Sequence, residues 1–147
     1  MSWISFTWTT PALLAGRKQM TWRDWDVSYA RQFRPGLLVD AYDRSPRNGG
    51  RKVATIRLTA VERIPIGGLA DGDYEAEGLA YLAEHPEAWP KRMFGRKFSP
   101  ELVSRAAFDE RRRTNEVGYC VRFELVSIGG DAVVEKDAPA VAARRPG

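Results

Sequence analysis

Polar and apolar side chains alternate with period two in SWISFTW, residues 2–8. The pattern predicts a strand carrying Trp3, Ile4, Phe6 and Trp8. TTPALLAG follows and predicts a short helix. Thr10 is expected to cap it, Pro11 suits its first position, and Gly16 suits the left-handed residue that ends it. Alternation returns in QMTWRDW, with Met20, Trp22 and Asp24 on one face and Thr21, Arg23 and Trp25 on the other. Residues 26–35 lose the pattern and read as a loop. GLLVDAY, residues 36–42, is expected to be a buried strand. RSPRNGGR, residues 44–51, is a turn signal between strands. KVATIRLTAVERI, residues 52–64, is a long strand rich in β-branched residues.

The second half is less regular. After the loop PIGGLADG, Asp73 is expected to cap a helix that runs to about Glu84. HPEAWPKRMFGRKF, residues 85–98, is irregular, basic and aromatic. Ser99 and Pro100 start a further helix to about Arg113, and EVGYCVRFELVSI, residues 116–128, is the last strand. Residues 129–147 hold Gly, Pro and Ala without an aromatic anchor and read as a flexible tail. Helices do not regularly separate the strands, so a doubly wound parallel sheet is not expected. The expectation is an α+β, mainly β domain over residues 1–128: a small barrel of about five to six strands with short flanking helices. No internal repeat is visible.

Composition narrows the class. At 147 residues the chain makes one domain and can bury a core without disulfides or metal. Its single cysteine, Cys120, cannot form an internal disulfide, which favours a cytoplasmic protein. No apolar run suits a membrane helix, and the N-terminal residues do not follow the secretory-signal pattern. The net charge of +4 is unevenly spread. Residues 17–63 and 85–113 are basic, and residues 64–84 between them carry five acids and no Lys or Arg. Basic surfaces attract polyanions, and they also occur as plain solvated faces.

The chemistry candidates are few. With one histidine, His85, and one cysteine, a zinc site of His and Cys ligands is not expected. A Ser-His-Asp set would have to use that loop histidine. No Walker-type loop or GxGxxG motif occurs, and no metal or cofactor is implied. GRKQMT and EAEG remain. A hydroxyl such as Thr21 is a poor nucleophile until a base takes its proton. Lys18 can be that base if burial or a nearby cation, Arg17 or Arg23, lowers its pKa. A carboxylate, Glu75 or Glu77, can then handle the proton of a leaving nitrogen. The same residues have a plain structural reading. Lys18 and Arg17 would meet a helix dipole, worth about 0.3–1 kcal/mol, and Thr21 and Glu77 would be ordinary strand and helix residues.

ISFTWTTPALLAGRKQMTWRDW resembles the opening of the ASCH domain family, a branch of the PUA-like superfamily. EAEGL, residues 75–79, and YCVRFELV, residues 119–126, resemble that family's later motifs in the right order. The resemblance implies a small PUA-like barrel with a cleft for RNA or modified nucleosides. Some family members are small amidohydrolases that deacetylate acetylcytidine, and others are described as nucleic-acid binders or nucleases. The amidohydrolase set falls on Lys18, Thr21 as nucleophile, and Glu77, with Arg23 following the threonine. Gln19 stands where the small amidohydrolases have a second threonine. The basic segment at about residues 86–113 is an addition that suits a polymeric substrate or a cleft cover.

Binding candidates lie beside this set. Trp25 and Tyr29 sit among Arg17, Arg23, Arg31 and Arg34, where rings could stack on bases and guanidinium groups could meet phosphates. Arg47 and Arg51 flank a turn tip. Lys91, Arg92, Arg96 and Lys97 surround Phe94 in the basic segment. The expected partner is RNA, single-stranded nucleic acid or a modified nucleoside, not a membrane.

Overall fold

The computed structural model describes residues 2–130. The part of the expected tail from residue 131 onward lies outside the described residues.

Five strands form one sheet. They are β1 (Trp3–Ser5), β2 (Met20–Arg23), β3 (Leu38–Tyr42), β4 (Lys52–Pro65) and, last in the chain, β7 (Val117–Ile128). Their order across the sheet is β1-β3-β4-β7-β2. All neighbours are antiparallel except β1 and β3, which run parallel. The long strands β4 and β7 form the spine, and their register shifts at Thr55/Ile56 and again at Leu58/Ala60. Irregularities of this kind bend a strand and increase its twist. The sheet curls until its two edges meet: the Arg23 guanidinium on β2 donates to the Ser5 carbonyl at the end of β1, 2.7 Å away. The result is a small, mainly β half-barrel, as the strand pattern predicts.

The barrel interior is apolar. Ile4, Phe6, Leu13, Phe33, Val39, Ile56, Leu58, Val121 and Phe123 pack there. A second cluster covers the outer face beside β2, where Met20, Trp22 and Cys120 meet Ile66, Leu69, Leu79 and Phe108. The alternation in MTWR therefore does what its period demands. Met20 and Trp22 face the outer cluster, and Thr21 faces inward opposite Val121.

Short helices line the margins: α1 (Thr10–Leu14), α2 (Val27–Ala30), α3 (Asp73–Ala76), α4 (Leu79–Glu84) and α5 (Arg105–Arg112). Several expected boundaries move. The first strand stops at Ser5, because Thr7 takes a positive φ of 44° and a 3-10 turn follows. Thr10 is the first helical residue rather than the cap. The loop at 26–35 contains α2, capped by the Asp26 carboxylate, which accepts from the Tyr29 amide. The helix expected over 73–84 breaks at Gly78 into α3 and α4. The one expected after Ser99 splits at Ser104, which caps α5. Within the basic segment a hairpin forms from β5 (Arg92–Met93) and β6 (Arg96–Lys97). It is anchored by Phe98, buried with Ala12, Leu82 and Val103 and with Met93 and Trp89 packed alongside.

Candidate active site

The end of α1 delivers Lys18 into the protein. Gly16 adopts a φ of +74°, and the amides of Arg17 and Lys18 both donate to the Ala12 carbonyl at 3.0 Å. The chain turns back on itself, and the Lys18 side chain enters the interior rather than solvent. Lys18 is only 3% exposed. Its ammonium donates to the Glu77 backbone carbonyl at 2.8 Å and lies 4.0 Å from Glu77 Oε1. Burial pushes the Lys18 pKa down to about 8; the Glu77 carboxylate opposes that shift and the Arg23 cation adds to it.

Glu77 is placed by the break between α3 and α4. The start of α3 is pinned to β7, where Arg122 donates from its two terminal nitrogens, Nη1 and Nη2, to the buried Asp73 carboxylate at 2.9 and 3.1 Å. The end of α3 is pinned to the chain entering β2, where the Gln19 amide donates to the Ala76 carbonyl at 2.7 Å. Just past the second tie the helix ends, and Gly78 turns the chain at a φ of +89°. The turn aims the Glu77 carboxylate along the unpaired edge of β2, where Oε1 accepts from the Trp22 amide at 2.8 Å. A Cβ on Gly78 would lie 2.6 Å from Ala12 Cβ and 3.1 Å from Lys18 Cβ. Gly78→Ala therefore combines a left-handed backbone with a clash. We expect it to lower stability by on the order of 3 kcal/mol in urea unfolding.

Thr21 and Arg23 share the inward face of β2. Arg23 Nε donates to Thr21 Oγ1 at 3.0 Å, and the same guanidinium reaches Ser5. Its centre lies 5.4 Å from the Phe6 ring centroid. Burial pushes the Arg23 pKa down to about 10, with Glu77 and Tyr29 opposing, so it stays a cation at neutral pH. Because Thr21 Oγ1 accepts from Arg23, its own proton is left to donate. No hydrogen bond joins Thr21 to Lys18 among the described residues. Thr21 is 4% exposed.

Two hollows lie beside β2, one on its outer face and one at the seam with β1. One is lined by Trp8, Trp22, Leu79, Phe108 and Arg112, with Glu77 in its wall, and encloses about 160 Å³. A cavity of about 150 Å³ is enough for one benzene ring. The other is more open and is lined by Trp3, Ser5, Arg23, Trp25 and Tyr29.

The remaining sequence candidates scatter. Arg17 pairs with Glu75, its Nε 2.8 Å from Glu75 Oε1, and sits 5.6 Å from the Tyr81 ring centroid. Trp25 stacks on Phe33 at 4.2 Å between centroids, which occupies one of its faces, and Tyr29 is exposed beside it. Arg47 and Arg51 are exposed on the turn between β3 and β4, and the four hairpin cations are exposed on β5, β6 and their flank. Among the described residues no cluster of three or more His, Cys, Asp or Glu could hold a metal ion, and no helix is long and apolar enough to cross a membrane. Three participants were not singled out in the sequence. The Ser5 carbonyl and the Asp73–Arg122 pair act over long separations that leave no local signal. Gly78 did leave one, a glycine inside a helical pattern.

No family model matches the chain, and no curated protein matches it. Among solved structures, protein EF3133 from Enterococcus faecalis V583, described by the family model DUF984, superposes with a TM-score of 0.53. The two are 18% identical over 92% of this chain and 86% of that one. An ASCH domain from Lactobacillus crispatus JV V101 superposes with a TM-score of 0.46, at 13% identity over 81% of this chain and 70% of that one. The likeness to the Enterococcus protein is one of fold, and it agrees with the ASCH-type barrel that the opening stretch resembles.

Proposed function

We propose that the chain removes an N-acyl group from a modified nucleobase, with acetylated cytidine as the first substrate to test. The observation that carries this reading is Lys18: a buried amine held against Glu77 with its pKa pushed down to about 8. A lysine in that state is partly neutral at physiological pH and can accept a proton. Thr21 Oγ attacks the acyl carbon, and Lys18 Nζ takes the hydroxyl proton. Arg23 orients the hydroxyl. The proton taken up by Lys18 is relayed through the Glu77 carboxylate to the exocyclic nitrogen as the carbon–nitrogen bond breaks. Water then cleaves the acyl-threonine and releases the acid. Thr21 shares its face of β2 with Arg23, so the open hollow walled by Arg23, Trp25 and Tyr29 is where a base would sit.

The side chain of Gln19 is exposed, and its backbone ties β2 to α3 and β7. The departure from the amidohydrolase pattern therefore lies at an exposed position just before β2. Incubation with acetylcytidine should yield cytidine and acetate, followed by chromatography. Absence of both products at high enzyme concentration would remove the reading.

A second reading, binding of nucleic acid without chemistry, is favoured by the hairpin. Lys91, Arg92, Arg96 and Lys97 form no ion pair with a carboxylate among the described residues. Under that reading acetylcytidine is left intact. Cleavage of labelled RNA would instead point to a nuclease.

A further inference from the structure

The tip of the β5–β6 hairpin breaks two rules at once. Its two-residue loop is Phe94-Gly95, with φ of 55° and 75°. Loops with both central residues left-handed favour Asn-Gly or Gly-Gly, because a side chain such as that of Phe is strained there. Phe94 is also 92% exposed. Among the described residues its ring makes no aromatic contact, so packing there gives no reason for a phenylalanine at this position. Strained backbone of this kind persists most often where function uses it.

The surroundings say what the ring would meet. Lys91, Arg92, Arg96 and Lys97 are exposed on either side of it, and no acid occurs between Glu87 and Glu101. At the base of the hairpin an open hollow is walled by Trp89, Lys91, Lys97, Pro86, Pro90 and Pro100. Trp89 is fixed there, its indole N–H donating to the Leu82 carbonyl at 2.6 Å. Cations spaced around one free ring, with a second ring set below, match a chain of alternating phosphates and flat bases.

We propose that this hairpin binds single-stranded nucleic acid, with a base stacked on Phe94 and the backbone held by the four cations. A free nucleoside has no use for such an arm, so the inference extends the proposed function to a polymeric substrate. It rests on the nucleic-acid reading but not on the Thr21 chemistry.

The test is fluorescence anisotropy of the full chain with a labelled oligouridine, in a salt series. Binding should weaken as salt rises. Phe94→Asn should weaken it about 5- to 150-fold, the range expected for losing one stacked base. The salt slope should stay unchanged. The melting temperature should not fall, since asparagine suits the left-handed position. Phe94→Trp should restore affinity. Arg92→Gln with Arg96→Gln should flatten the salt slope by about 1.4, at roughly 0.7 per phosphate contact.

Three results would overturn the proposal: affinity unmoved by Phe94→Asn, a melting temperature lowered by it, or preference for anionic phospholipid vesicles over the oligonucleotide. Hydrolysis of acetylcytidine without any strand binding would end this inference and leave the proposed function standing.

Discussion

Lys18→Met is expected to lower kcat/KM on acetylcytidine by about 10²–10⁴, the range for loss of a positioned acid–base group. The substitution keeps the length and apolar stem of the side chain in its buried site. It removes only the nitrogen that would take the Thr21 proton. The pH profile makes the effect specific. A base must be neutral to act, so parent activity should rise with pH through about 8. In the variant that limb should vanish rather than shift. Thr21→Ala should be equally inactive. A Lys18→Met enzyme with parental activity across pH 6–9 would remove Lys18 from the mechanism.

The same lysine leaves a mark on stability. Its folded pKa lies near 8 and its ordinary value is 10.5. Between these values the unfolded chain holds a proton that the folded chain has lost, so stability rises with pH across that window. The charged form is therefore a burden below about pH 8. The burden is on the order of 3 kcal/mol at 1.36 kcal/mol per pH unit. It should be relieved as pH climbs towards 10.5 and be absent from Lys18→Met. Comparing the two proteins by urea unfolding at pH 7 and pH 10 isolates it from other titrations.

Glu77→Ala is the second large effect, and here the fold suffers with the activity. The Trp22 amide loses its acceptor, which costs about 1–3 kcal/mol if the group stays dry. The Lys18 ammonium loses its counter-charge, and stranding one partner of a buried pair costs about 3–5 kcal/mol. These costs do not simply add, because Lys18 can shed its proton and cap the second. We expect a net loss on the order of 4 kcal/mol at neutral pH. Glu77→Gln separates the two parts, since its amide oxygen can still accept from Trp22. That variant should be more stable than Glu77→Ala. It should also move the titration of Lys18 below about 8, because the carboxylate was holding it up. An unchanged Lys18 titration by NMR in Glu77→Gln would mean that the two groups do not interact.

Strands β4 and β7 were legible because long runs of β-branched and aromatic residues with turn signals at both ends admit little else. Gly16 was legible because a helix of that length needs a left-handed residue to stop it. Alternation put Thr21 and Arg23 on one face of β2, but it did not say which face turns inward. What failed depended on distant partners. Ser2–Trp8 alternates like a strand, yet only Trp3–Ser5 finds a neighbour in β3. Residues 73–84 read as one helix because their apolar spacing survives the break. The ties that fix α3, to Arg122 and Gln19, lie far away in the sequence. The approach of Lys18 to Glu77 could be guessed only from a likeness to other proteins. Nothing local says that a loop lysine will be buried beside a carboxylate 59 positions later.

Arg23 joins the two edges of the sheet with a side chain where every other neighbouring pair of strands is joined by backbone. Everywhere else the wall is stitched; at this one line it is buttoned. Parting β1 from β2 undoes one side-chain hydrogen bond, from Arg23 to the Ser5 carbonyl, and no ladder has to come apart. Thr21 lies directly behind that fastening, held by the same guanidinium. The most deeply enclosed hydroxyl of the candidate site is thus guarded by the part of the barrel that is easiest to undo.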